Sequence, residues 1–178
     1  MPTAYGATTP AGSFVDGGAS FSGSGLIMHN PGQSPLSLYA QPLHDTTNYL
    51  AILGGGSETI TYSSDRHSFG LYWGSIDPFN SITFYNNGSA VLTYTGNDLA
   101  SLVANGSQTS DDSNRYVTFG GVTFDQVVLS SGRNTFEVDN IAAGVPELSS
   151  WMMMLIGFAG LGLVARGRAK TLLTSRLA

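Results

Sequence analysis

Over most of the first 144 positions, apolar residues alternate with polar ones in short runs, and turn-forming residues separate the runs. Ile82 and Phe84 alternate with Ser81, Thr83 and Tyr85, and Ala90, Leu92 and Tyr94 alternate with Val91, Thr93 and Thr95. A period of two puts one set of side chains on each face of an extended strand. Between these runs stands Asn86-Asn87-Gly88-Ser89. An Asn-Gly pair accepts positive φ at low cost, so the two runs are predicted to close as a hairpin. Similar runs lie at 20–28, 49–53, 58–62, 68–73, 115–119, 122–129 and 135–141. Strand centres roughly ten residues apart predict an all-β fold, an antiparallel β-sandwich or jelly roll rather than a parallel α/β sheet. Residues 97–104 favour one short helix, which Asn105-Gly106 would stop.

After Gly144 the pattern changes. Residues 151–165, from Trp151 to Ala165, carry no charge. A helix of that length measures about 22 Å, short of a hydrocarbon core of about 30 Å. Pro146 suits a first helical position and Glu147 complements the positive end of the dipole, so a helix begun at 146 gains the missing turn and spans. A buried core helix is the alternative, but it would normally carry a polar stripe. The predicted layout is therefore a loose segment at 1–19, a β-sandwich domain at 20–141, a linker at 142–145, a single C-terminal transmembrane helix at 146–165 and a basic cytoplasmic tail at 166–178.

Charge supports that orientation. Residues 1–144 hold 11 acids against three bases, Arg66, Arg115 and Arg133, whereas the remainder holds Glu147 against Arg166, Arg168, Lys170 and Arg176. An acidic body, an apolar run and a basic end follow the positive-inside rule, with Trp151 as an aromatic anchor at the outer interface and the arginines at the inner one. An acidic body also lacks the phosphate-neutralising patch that nucleic-acid binding requires. Of the 178 residues 11% are charged and 42% hydrophobic, which excludes charge-driven disorder. The absence of cysteine excludes disulfides, thiol catalysis and Cys-ligated metals.

Val145-Pro146-Glu147-Leu148-Ser149-Ser150-Trp151-Met152, the Gly-containing apolar run and the closing Arg166-Gly167-Arg168 together resemble the PEP-CTERM sorting signal. Leu148 stands where that family has its second proline, Met152 where it usually has alanine, and the tail after Arg168 is longer than usual. The resemblance implies an exosortase-type processing enzyme as partner and an inner-membrane precursor with its body outside and its C-terminus cytoplasmic. It further implies processing, then release to the cell surface or extracellular matrix. Pro146, Glu147, Trp151, Arg166 and Arg168 would carry the signal. An exported protein needs a leader, and Met1-Pro-Thr-Ala-Tyr-Gly-Ala-Thr-Thr-Pro10 has neither a basic region nor an apolar stretch of seven, so the true start is expected upstream. The body, through Leu71-Tyr-Trp-Gly-Ser-Ile-Asp77 and Thr135-Phe-Glu-Val-Asp-Asn-Ile141, is similar to sandwich domains that precede such signals.

No catalytic constellation is visible: His29, His44 and His67 lack metal-ligand spacing, and nucleophile elbows and phosphate loops are absent. Asp77, Asp98, Asp125, Glu137 and Asp139 could act as paired carboxylates only by converging in space. The expectation is a non-enzymatic exported surface or matrix protein. The alternative is a carbohydrate-binding jelly-roll module of the exopolysaccharide matrix, and a secreted glycan-active enzyme ranks third. Tyr72, Trp73 and Tyr85 are the candidate ligand-stacking residues, although Trp73 in an alternating strand fits a core equally well and Tyr72 must face the other way. No cofactor is expected beyond a calcium ion, a hard cation suited to an acidic, oxygen-rich body. Phe136-Glu-Val-Asp139-Asn140-Ile141 is similar to the last strand of jelly-roll carbohydrate-binding modules, in which an Asp often helps hold calcium. That similarity makes Asp139 the first candidate, with Glu137 and Asp16 behind it. A simple bulge or turn at Asp139-Asn140 is the competing reading.

Overall fold

The computed structural model of the protein describes residues 8–10, 13–16, 18–28, 38–99 and 102–144, with side chains from residue 18 onward except that of Met28. Among the described residues ten strands occur in the order β1 (Thr8–Pro10), β2 (Ser13–Asp16), β3 (Ala19–Gly23), β4 (Leu26–Met28), β5 (Tyr49–Ile52), β6 (Ser57–Gly74), β7 (Asn80–Asn86), β8 (Ser89–Thr95), β9 (Arg115–Ser131) and β10 (Phe136–Gly144). Every pairing is antiparallel. The architecture is a β-sandwich, as the strand spacing predicts.

Two long strands build both layers. The first half of β6 pairs with β3 and with the second half of β9, which continues to β7 and β8. The second half of β6 pairs with the first half of β9 and with β10, which continues to β5, β4 and β1. The β6–β9 register shifts around Arg66, where the ribbon bends from one layer into the other. Inward side chains of the two layers then meet. Phe84 of β7 lies 5.7 Å from Phe69, 5.5 Å from Phe119 and 5.0 Å from Phe124, ring centre to ring centre. Ile60, Leu71, Trp73, Ile82, Val127 and Phe136, all fully buried, complete the interior. Aromatic edge-to-face pairs of this kind add about 0.5–1.5 kcal/mol each beyond the area they bury.

The predicted hairpin is present. Asn87 and Gly88 both take positive φ, 49° and 76°, the mirror-image turn that matches strand twist. Elsewhere the boundaries differ from the sequence reading. Runs 58–62 and 68–73 are one strand, as are 115–119 and 122–129, because the polar stretch between the first pair and Gly120-Gly121 between the second form bends rather than breaks. The run at 20–28 divides into β3 and β4. The segment read as loose at 1–19 contains β1 and β2, and the linker read at 142–145 is strand through Gly144, paired with Ser68–Gly70 of β6. In place of the predicted helix at 97–104 the chain makes a 3₁₀ turn at Gly96–Asp98, with residues 100 and 101 outside the described residues. Among the described residues no helix is long and apolar enough to cross a membrane. The predicted transmembrane segment and basic tail lie outside the described residues.

Candidate functional site

A β-bulge in β10 opens the larger cavity. Register with β6 is lost between Asp139 and Ala142, where Asn140 takes φ of 51°. The bulge faces Leu71 of β6, and Arg66, at the bend of β6 five residues earlier, lines the same groove. The result is a groove of about 390 Å³ with an apolar floor that includes Phe21, Leu50 and Val138. Its polar rim carries Arg66, Asp139 and Asn140. The Arg66 guanidinium sits 5.0 Å from the centre of the Tyr62 ring, and its Nη1 donates to Ser64 Oγ at 2.9 Å. Arg66 Nε is buried without a partner. Burial pushes the Tyr62 hydroxyl up to about 12, against a smaller opposing pull from Arg66.

Asp139 is held from the loop before β5. Thr47 Oγ1 lies 2.6 Å from Asp139 Oδ2 and 2.7 Å from Asp45 Oδ1. One hydroxyl hydrogen serves one acceptor, so the second contact closes only when a carboxyl donates to the hydroxyl oxygen. Burial, with the neighbouring Asp45 adding to it, raises the Asp139 carboxyl above its ordinary range.

A second cavity, about 150 Å³, lies between the end of β6, the start of β10 and the loops at 38–39 and 106–108. Its lining is almost wholly polar: Ser75, Asp77, Gln108, Asn134, Thr135 and Glu137 among others. Glu137 is 3% exposed; its Oε1 accepts from the Ala40 N–H at 2.9 Å, while Oε2 is buried with no partner. Ser75, 5% exposed and at φ of 46°, likewise has a buried Oγ with no partner. Desolvation by burial pushes Glu137 up to about 8, with the Asp77 charge a smaller contributor, and burial also raises Asp77. Asn114, itself buried, ties the surrounding loops together. Its Oδ1 accepts from the N–H groups of Leu43 (3.2 Å) and Ser75 (2.9 Å), and its Nδ2 donates to the carbonyls of Ser107 (2.7 Å) and Ser110 (3.0 Å).

The structure separates residues that the sequence grouped. Trp73 is fully buried, 4.7 Å from Phe136, and is core rather than platform. Tyr72 donates its hydroxyl to the Leu43 carbonyl at 2.7 Å in the β10-side layer, while Tyr85 sits half-buried on β7 in the other layer, so the two share no surface. Glu137 and Asp139 face the same side of β10 but line different cavities. Pro146, Glu147, Trp151, Arg166 and Arg168, and the side chain of Asp16, lie outside the described residues. The bulge read at Asp139-Asn140 is present, whereas Arg66, Ser75 and Asn114 escaped the sequence reading as site residues. For Arg66 a signal existed, since it is one of only three bases in the first 144 positions.

Neither a family model nor a curated protein matches this sequence. Among solved structures, the chain is similar to one described as a GH31 CBM32-2 module bound to GalNAc, at 13% identity and a TM-score of 0.33, covering 68% of this chain and 77% of that one. A likeness that loose says nothing about what this chain binds.

Proposed function

We propose that this chain is a non-enzymatic exported protein whose β-sandwich binds carbohydrate through the bulge groove. The groove itself supports the reading. A saccharide offers apolar C–H faces and a rim of hydroxyls, and the groove opposes to these an apolar floor beneath a cation, a carboxylate and an amide. Arg66 and Asp139, both lining the groove, supply a donor and an acceptor for sugar hydroxyls. Purified full-length chain should be retarded in affinity electrophoresis by at least one bacterial exopolysaccharide, and Arg66→Ala and Asp139→Asn should lose the retardation while melting as wild type. Failure of the wild type to bind any glycan on a broad array would sink the proposal.

Delivery is a separate part of the same proposal, supported by the sequence of residues 145–168. Exosortase-type processing there would release the sandwich to the surface or matrix. Fractionation of tagged protein with intact mass of the mature form tests it: loss of everything after about residue 147 is expected, and a secreted product that retains residues 151–178 contradicts it.

A further inference from the structure

The floor of the bulge groove differs in kind from its rim. Ile27 of β4, Leu50 of β5 and Val138 of β10 stand directly opposite one another across three neighbouring strands, so their side chains form one aliphatic row on one face. Phe21 flanks the row, and Phe21, Leu50 and Val138 all belong to the sandwich core. None of these side chains can make a hydrogen bond. A concave aliphatic row accepts a projecting apolar group, whereas a flat sugar face would want an exposed aromatic plane. A hydroxyl placed there gives up water for no partner; a methyl gives up only unfavourable hydration. An acetyl group suits the row less well, because an amide or ester carbonyl stands between ring and methyl. Above the floor, Arg66 and Asp139 are not engaged with each other: the ion pairs among the described residues are His44–Asp111 and Arg115–Asp112.

We propose that the groove selects a 6-deoxyhexose, its C6 methyl seated on the Ile27–Leu50–Val138 row and its ring hydroxyls turned to Arg66 and Asp139. The inference rests on the saccharide reading of the groove and adds the class of sugar. A 6-deoxyhexose matches both levels, with a methyl joined directly to the ring carbon at one side and hydroxyls at the other. The parent hexose carries a hydroxymethyl at the same place. Its oxygen must lose water over Leu50, or the ring must lift from the floor.

The test titrates the full-length chain, by ligand-observed NMR, with matched methyl glycosides: L-fucose against L-galactose, L-rhamnose against L-mannose, D-fucose against D-galactose and 6-deoxy-D-glucose against D-glucose, beside N-acetylated hexosamines. In at least one pair the deoxy member should bind about tenfold or more tightly, the scale on which an apolar pocket discriminates against an added hydroxyl. Ile27→Thr gives the row a hydroxyl and leaves the rim intact, so it should bring that ratio close to one. The ratio compares two ligands on one protein, and a variant that folds only in part still reports it. Parity or hexose preference in every pair, binding confined to N-acetylated sugars, or an unchanged ratio in Ile27→Thr overturns the assignment and leaves the saccharide reading standing. Absence of binding to every glycan, on the array as well, is the separate result that removes the saccharide reading and this inference with it.

Discussion

Trp73 and Phe136 pack ring to ring at 4.7 Å with their planes 35° apart, one on β6 and the other on β10. The pair stands two residues before Ser75 and one before Glu137. Because side chains alternate across a strand, Phe136 facing the core turns Glu137 to the opposite side, under the loop that carries Ala40. The same interior contact that stabilises the sandwich thus aims the carboxylate of the polar cavity.

Trp73→Ala should cost about 3–5 kcal/mol in denaturant unfolding, the range for removing a large aromatic from a packed core. Trp73→Phe should cost less than half as much. The indole Nε1 is buried without a partner, so the smaller ring also removes an unsatisfied donor. Equal losses for the two variants would show that indole shape, not burial, is what matters.

Asn114→Ala should destabilise by about 2–4 kcal/mol, because it orphans two N–H groups and two carbonyls in three loops at once. Hydrogen exchange should quicken first at the Leu43 and Ser75 amides. A loss below about 1 kcal/mol would mean that water replaces the side chain without difficulty.

Glu58 gives a pH dependence with a definite sign. Fully buried, with Oε2 accepting from the Gly25 N–H at 3.0 Å and Oε1 unpartnered, its carboxyl is raised by desolvation, the Gly25 bond opposing. A raised acid holds its proton more tightly folded than unfolded. Its contribution to stability is therefore complete below the ordinary Glu range near about pH 4 and is lost as pH climbs through the raised folded value. Glu58→Gln cannot ionise, so its melting temperature should rise relative to wild type as pH climbs above the ordinary Glu range. A gap that is constant with pH would contradict the assignment.

Gly106 sits at φ of 66°, and a Cβ there would come within 2.7 Å of Asp77 Oδ1. Gly106→Ala should lose about 1–2 kcal/mol from backbone strain alone. Gly106→Asn tolerates the backbone better but meets the same carboxylate. Comparing the two in melting experiments separates strain from crowding: a loss confined to Gly106→Ala marks strain, and an equal loss in both marks crowding against Asp77.

Much of this was legible in the sequence. The hairpin follows from Asn87-Gly88 between alternating runs, and the core faces of β7 and β10 follow from Ile82, Phe84, Phe136 and Val138. The long strands were not legible, since residues 63–67 and Gly120-Gly121 have the composition of loops, and only pairing with a neighbour keeps such stretches extended. Neither cavity could be read in advance. Arg66 and Asp139 are 73 positions apart, and Ser75 and Glu137 are 62 apart; each pair lines one cavity only because of how the strands fold and pair, which a single sequence does not disclose.

Because β6 and β9 each run through both layers, neither layer owns a complete set of strands. Detaching one tears the ladder of the other, so partial melting has no stable stopping point and heat or denaturant should meet a single cooperative transition. The two partners are separated by some forty intervening residues, which makes their zippering the slow, non-local event of refolding, on a scale of about milliseconds to seconds.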